Sequence, residues 1–287
     1  MNPQKIAILA DSCCDIPAKQ AAEKGFFIVP LRILANDGEY ADGVNIFSPD
    51  IYRRLDAGET LKTSLPAGLF VEGVLDQIKA QGYEKVIALM LSSGLSGTYN
   101  LLRITAEARD DLEIAVYDTK SGSLGIGMMI FQLLEDIENG MDWEALTTRR
   151  VPQLISNTFP FFSVDTLEYL QKGGRIGRIT AMAGTMLNIK PILSFAEDGQ
   201  LKNVTKVRGM KQVQEKYLET IRSLIGEHKR FNLAVANGAA PEQMAFLRAQ
   251  MEKEFPGYDH FWEGEIGATL SVYIGPGILG AAVTLLD

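Results

Sequence analysis

Residues 85–91, KVIALML, form an uninterrupted apolar run shortly after a helical pattern that ends on Gly82. A run this short and this apolar is typical of a strand buried on both faces of a parallel sheet. A similar run, KIAILA at 5–10, is followed by a polar loop, the helical pattern IPAKQAAEKG and a further apolar run, FFIVPLRIL, which we interpret as one buried strand. This order predicts a strand–helix–strand unit with a right-handed crossover.

The alternation of strand and helix patterns continues to about residue 155 and then changes character. The segment PILSFAEDGQLKNVTKVR contains two strand-like runs around Asp198-Gly199, a strong hairpin signal. The end of the chain, GATLSVYIGPGILGAAVTLLD, is interpreted as strands around a Gly-Pro-Gly turn. We therefore predict an α/β protein with a Rossmann-like parallel-sheet domain at residues 1–157. An α+β domain with a largely antiparallel or mixed sheet follows at 158–287, with a cleft between the two.

Composition excludes several classes of protein. The chain has 287 residues, a net charge of −8, two histidines and two adjacent cysteines, Cys13 and Cys14. Such a set cannot build a structural zinc site, and we expect neither a metal nor a cofactor. The acidic charge disfavours nucleic acid, and we expect at most transient contact with membranes. Without a signal-peptide pattern or an apolar run near the roughly 20 residues of a spanning helix, we predict a cytoplasmic protein.

Polar loops follow three of the predicted central strands, where parallel sheets bind ligands. They are DSCCD at 11–15, SSGLSGT at 92–98 and DTKSGS at 118–123, and a further hydroxyl pair stands in KTSLP at 62–66. Ser96 before Gly97 is a plausible helix cap, and the helix start behind it could hold a carboxylate or phosphate. The alternative is that Ser93 and Ser96 only cap the helix.

The sequence offers little support for catalysis. A serine nucleophile needs a base, and neither His228 nor His260 is an obvious partner, while LSSGLSG lacks the Gly-x-Ser-x-Gly pattern of a nucleophile elbow. GRIGRITAMAG likewise lacks the spacing of a phosphate loop. We predict no catalytic residues. A phosphoryl- or acyl-transfer enzyme that uses the Ser93/Ser96 loop remains the alternative.

A basic, glycine-rich stretch stands out in this acidic chain. YLQKGGRIGR at 169–178 carries Lys172, Arg175 and Arg178, which could receive a phosphate group or an acidic partner. It could equally be a glycine helix stop with solvated charges. The same two interpretations apply to Arg208 in KVRGMK.

Taken together, these motifs resemble those of one known family. ADSCCDIP, VPLRI, EYADG, KTSLP, SSGLSGTY, YLQKGGRIG, LNIKPIL, DGQL, KVRGMK and IGPGILG occur in the order found in the DegV family of bacterial fatty-acid-binding proteins. The resemblance covers essentially the whole chain and is strongest for its FakB branch. It implies a two-domain protein that holds one long-chain fatty acid, such as palmitate, stearate or oleate, in an apolar tunnel between its domains.

The resemblance also implies a carrier role: the acyl chain is presented to a separate fatty acid kinase, which makes acyl phosphate for phospholipid synthesis. A regulatory interaction protein is a third possibility. We expect a monomer.

Site residues are carried over from the family position by position. The head-group hydroxyls match Thr63 and Ser96, with Ser93 beside them. Asp11 and Ser12 match the opening loop, and Arg208 matches the arginine of a K-x-R strand end. Arg175 matches a position that the resemblance assigns to the surface facing the kinase, and we group Lys172 and Arg178 with it as partner-binding residues.

Where the family pattern has a histidine before the last Gly-Pro-Gly turn, this chain has Tyr273. A phenol donates a hydrogen bond but carries no positive charge near neutral pH. Carboxylate binding is therefore expected to depend more on Thr63, Ser96 and Arg208.

Overall fold

The architecture is taken from a computed structural model that describes residues 2–182 and 188–287. The strands are β1 (Ile6–Asp11), β2 (Phe27–Val29), β3 (Arg32–Ala35), β4 (Gly38–Ala41), β5 (Lys62–Ser64), β6 (Lys85–Met90), β7 (Glu113–Asp118), β8 (Thr158–Ser163), β9 (Ile189–Phe195), β10 (Leu201–Arg208), β11 (Phe231–Gly238), β12 (Phe261–Glu265) and β13 (Ile278–Leu285). The helices are α1 (Ala18–Lys24), α2 (Ser48–Asp56), α3 (Gly68–Ala80), α4 (Thr98–Glu107), α5 (Leu124–Glu138), α6 (Trp143–Ala145), α7 (Val151–Asn157), α8 (Glu168–Lys172), α9 (Gly209–Ile225), α10 (Pro241–Glu254) and α11 (Ala268–Ile274). Short 3₁₀ turns occur at Ser12–Cys14 and Gly177–Met182, and a π-helical turn, Leu146–Arg150, joins α6 to α7.

The first sheet is parallel, with the strand order β2-β1-β6-β7. The apolar run of β1 is continuous because its side chains alternate between two cores. Ile6 and Ile8 pack on the side of α5, whereas Ala7 and Leu9 pack on the side of α3 and α4. Cys13 and Cys14 are fully buried in the first of these cores, and burial raises the pKa of both thiols well above the usual value.

The segment FFIVPLRIL is not one strand, as the sequence predicts, but two. It divides at Pro30, which has no N–H to continue the ladder. β2 before the proline pairs with β1, and β3 after it pairs antiparallel with β4 and β5 in a separate small sheet. This division places Thr63 of β5 beside the rest of the molecule's polar loops.

The second sheet is mixed, with the order β10-β9-β8-β13-β11-β12. The predicted hairpin is present: β9 and β10 are antiparallel and meet around Asp198-Gly199. The motif LNIKPIL begins at residue 187, outside the described residues, and the rest of it leads into β9. Helices α9 and α10 cover one face of this sheet, and α5 packs on the other.

The predicted strand before the last Gly-Pro-Gly turn is instead the helix α11. Its start is fixed by a distant residue, because the buried carboxylate of Asp42 accepts the N–H groups of Ala268 and Thr269. Gly275, with φ of 66°, ends the helix. Local sequence contains no sign of Asp42, so the helix could not be distinguished from a strand.

Two-domain α/β architecture, with an N-terminal parallel sheet and a C-terminal mixed sheet, confirms the predicted fold class. The strands of the first sheet end at Asp118 and those of the second begin at Thr158. The boundary at residue 157 stays a prediction, since α5 packs against strands of both sheets. No helix in the described ranges is long and apolar enough to cross a membrane.

Candidate functional site

A cavity lies between the inner face of the second sheet and the elements α5, α11 and the loops after β5 and β6. It comprises about 930 Å³ of space not filled by protein atoms, part of it open to solvent. This is within the range of small-molecule sites in proteins. We call it the cavity below.

The floor of the cavity is a strip of small side chains on the two central strands. Ala236 pairs with Gly280, and Ala234 pairs with Ala282, so these four positions share one face of β11 and β13. Because they project so little, the sheet leaves room above it that larger side chains would fill. Leucine and phenylalanine side chains close the sides, among them Leu31, Leu91, Leu124, Phe162, Phe195 and Leu270.

A head cluster of four polar residues stands on the cavity wall: Thr63, Ser96, Arg175 and Tyr273. The hydroxyls of Thr63 and Tyr273 lie 2.6 Å apart and share one hydrogen bond, which leaves one of the two O–H groups free to donate to a ligand. The guanidinium of Arg175 lies over the Tyr273 ring, 4.8 Å from its centroid.

Arg175 is held by backbone carbonyls rather than by acids. Its Nε donates to the carbonyl of Leu95 at 3.3 Å and one terminal nitrogen donates to that of Gly173 at 2.8 Å. It has no carboxylate partner in the described part of the chain. Its charge and its remaining N–H groups are therefore available to an anion.

Ser96 both lines the cavity and supports the start of α4. Its Oγ lies 2.8 Å from the Thr98 hydroxyl and accepts the N–H of Thr98 at 3.3 Å. The capping interpretation thus holds together with the cavity position, because a hydroxyl has two lone pairs and one proton.

Ser93, from the same loop, is not among the residues that line the cavity. It contacts Lys120, whose Nζ lies 3.3 Å from Ser93 Oγ and 2.6 Å from a carboxylate oxygen of Asp118. Burial alone would raise the pKa of Asp118, but hydrogen bonds from Lys120 and Ser93 hold it below its usual value. The lysine is therefore ion-paired where a serine nucleophile would need a neutral base.

Asp11 and Ser12 lie behind the cavity wall. The fully buried carboxyl of Asp11 accepts the N–H groups of Cys13 at 3.0 Å and Leu91 at 2.7 Å, which ties β1 to β6. Burial raises the pKa of Asp11 to about 7. Ser12 donates to Asp42 at 2.8 Å and accepts the N–H of Leu31 at 3.1 Å.

The remaining basic residues are outside the cavity. Lys172 pairs with Glu168, and Arg178 pairs with Asp198; their side chains are 66% and 61% exposed. Arg208 is exposed at the end of β10 and is not brought to the cavity. Arg175 thus differs from the two neighbours with which it was grouped.

The glycines of two loops close one side of the cavity. Ser92 Oγ donates to the carbonyl of Gly199 at 2.7 Å, across the two domains. A Cβ on Gly94 would lie 2.3 Å from the carbonyl carbon of Gly199, so the two backbones are in direct contact. We call this contact the glycine clasp.

Sequence reasoning did not find two hydroxyls that also line the cavity, Ser123 and Thr269. Ser123 was visible in the predicted loop DTKSGS, whereas Thr269 was hidden because its helix was interpreted as a strand. Nor did it find the small-residue strip, although the spacing of Ala234, Ala236, Gly280 and Ala282 indicates one face of two strands.

Neither histidine is near the head cluster: His228 pairs with Asp287 and His260 with Glu135. Among the described residues, no group of three or more His, Cys, Asp or Glu side chains could hold a metal ion.

Residues 5–285 match the family model described as "Uncharacterised protein, DegV family". The chain belongs to the DegV family. A DegV domain-containing protein of Clostridium acetobutylicum is 33% identical over 280 residues, 98% of this chain and 99% of that protein. A second, from Clostridium perfringens, is 33% identical and covers 98% of each chain. The resemblance found in the sequence motifs is confirmed.

Solved structures of DegV proteins share the whole fold. A fatty-acid-binding DegV family protein from Thermus thermophilus matches with a TM-score of 0.91 and 29% identity over 100% of both chains. A stearic acid-binding protein from Eubacterium ventriosum matches with a TM-score of 0.85 and 26% identity over 98% of both chains.

Proposed function

We propose that this DegV protein binds one long-chain fatty acid, without covalent chemistry, in the cavity between its domains. The observation that carries the proposal is the composition of the cavity wall: an apolar interior with the head cluster of Thr63, Ser96, Arg175 and Tyr273. The fatty-acid-binding relatives with the same fold support it.

The acyl tail supplies most of the affinity. Each methylene that leaves water for an apolar wall contributes about 0.8 kcal/mol. The small-residue strip of β11 and β13 gives the tail a smooth surface, with Leu124 and Leu270 among the side chains that complete the wall.

The head cluster fixes which end of the ligand lies where. A carboxylate buried without donors is costly, so it takes the position where the free O–H of the Thr63–Tyr273 pair and the Arg175 guanidinium converge. Tyr273 cannot carry the charge of a histidine, but Arg175 stacked on its ring supplies a positive charge at the same place.

The decisive experiment is mass spectrometry of organic extracts from the purified protein, followed by titration with stearate. We expect one equivalent of fatty acid per chain, and after delipidation we expect renewed uptake. If no fatty acid is recovered and none is taken up, the proposal is wrong. The variant Arg178→Met, outside the cavity, serves as a control that should retain the ligand.

For the bound acid we further propose presentation to a separate fatty acid kinase. The exposed cations Lys172, Arg178 and Arg208 offer a surface for an acidic partner. Incubation with ATP, magnesium and fatty acid should give acyl phosphate only when a fatty acid kinase is added. Product from this protein alone would favour the alternative, an enzyme that uses the Ser93/Ser96 loop.

A further inference from the structure

The two hydroxyls of Ser123 and Thr269, which we call the inner hydroxyl pair, have an unusual position in a lipid cavity. Thr269 is only 2% exposed and Ser123 is half-buried, and both line the cavity. Neither hydroxyl has a hydrogen-bond partner among the protein residues that the structure describes. A buried hydroxyl without a partner is costly, so this pair requires a polar group on the cavity side.

Two buried carboxyls stand behind the inner hydroxyl pair. Ser123 lies beside Asp15 and Thr269 beside Asp42, in both cases without a hydrogen bond of standard geometry. Asp42 is committed to Ser12 and to the backbone at the start of α11. Both oxygens of Asp15 lack a partner in the described part of the chain, although the residue is only 8% exposed.

These surroundings select the kind of group that fits. A carboxylate only accepts hydrogen bonds and would face two acidic side chains, so it is disfavoured here. A hydroxyl both donates and accepts, and therefore satisfies the inner hydroxyl pair whichever way the protons of Asp15 and Asp42 are arranged.

We propose that the inner hydroxyl pair is a subsite for a hydroxyl group carried by the acyl chain, so that the ligands of this protein include hydroxy fatty acids. The inference rests on the proposed function. Thr269 and Tyr273 are four residues apart on α11, about one helical turn of 5.4 Å, so the recognised hydroxyl lies near the carboxyl end.

The test compares stearic acid with a series of monohydroxystearic acids that carry the hydroxyl at successive carbons. Each is titrated by displacement of a fluorescent fatty acid from the delipidated full-length protein. We expect one isomer to bind about five- to tenfold more tightly than stearic acid, because it gains a buried hydrogen bond. Isomers with the hydroxyl elsewhere should bind more weakly than stearic acid.

Variants assign the gain to the subsite. Thr269→Val keeps the shape of the side chain, and with it the preferred isomer should lose its advantage over stearic acid; Ser123→Ala should reduce that advantage. Ser163→Ala is the matched control, because Ser163 is also buried without a hydroxyl partner among the described residues but does not line the cavity. The readout is the affinity ratio of the two ligands, which a general packing defect leaves unchanged.

If no isomer exceeds stearic acid in the unaltered protein, or if the advantage survives both Thr269→Val and Ser123→Ala, the proposal is overturned. Failure of stearic acid itself to bind would instead refute the proposed function, so the two outcomes are distinguishable.

Discussion

Replacement of Arg175 by methionine tests whether its guanidinium holds the ligand head group. Methionine keeps an unbranched side chain of moderate length and removes the charge and all N–H donors. Arg175 is held by the carbonyls of Leu95 and Gly173 and by the Tyr273 ring, with no acid in the described residues to neutralise it. The substitution should therefore change the binding of an anion far more than the binding of an apolar chain.

The expected size follows from the contact that is lost. A hydrogen bond to a charged group contributes about 1.5–3 kcal/mol, and because Arg175 is half-buried the lower part of that range applies. The affinity for stearic acid should fall about tenfold. Stearyl alcohol, which has the same tail and no charge, should bind the variant and the unaltered protein within about twofold of each other.

The assay is displacement of a fluorescent fatty acid, run with acid and alcohol on both proteins, so that the difference between ligands isolates the head group. Arg178→Met is the matched control, because that arginine is on the same loop but is 61% exposed and paired with Asp198. An equal loss for acid and alcohol, or an equal effect of the two arginine variants, would refute the reasoning.

Three further predictions concern the fold and the cavity. Gly94→Ala should lower the free energy of unfolding by about 1–3 kcal/mol, because its Cβ would overlap Gly199; Gly73→Ala, with nothing within 4 Å, should not, and equal melting temperatures would contradict the glycine clasp. Ala282→Leu should shift the ligands recovered by mass spectrometry toward shorter chains, since it fills the small-residue strip; an unchanged length distribution would count against that path for the tail. Burial raises the pKa of Asp11 from 3.8 to about 7, so the folded state holds a proton that the unfolded state has released between these pH values. The contribution of Asp11 to stability is thus fully present below pH 3.8 and is lost as the pH rises to about 7. Denaturant titrations of Asp11→Asn and the unaltered protein should show that the variant lacks this decline, and parallel pH profiles would disprove it.

The sequence predicted the architecture well where local pattern and tertiary environment agree. The apolar runs of β1 and β6, the hairpin at Asp198-Gly199 and the helix after Pro49 carry their signals in neighbouring residues. The helix α11 failed because its start depends on Asp42, more than two hundred positions away in the chain. The strand that divides at Pro30 failed because an apolar run does not reveal which sheet it joins.

The candidate site was only partly accessible from sequence. Motif resemblance brought together Thr63, Ser96 and Tyr273, which the structure places on one wall. It could not separate Arg175 from Lys172 and Arg178, because the direction of each side chain depends on how the loop packs. Thr269 stayed hidden for a related reason: its hydroxyl faces the cavity only because α11 is a helix.

The glycine clasp has a consequence for how the protein can diversify. The two domains meet there through main-chain atoms of Gly94 and Gly199, and the single side chain involved, Ser92, donates to a carbonyl. Such a contact is blind to the chemistry of the tunnel. Substitutions along the small-residue strip can therefore retune which acyl chain fits while closure of the cavity stays the same, so capacity and selectivity are independent variables in this scaffold.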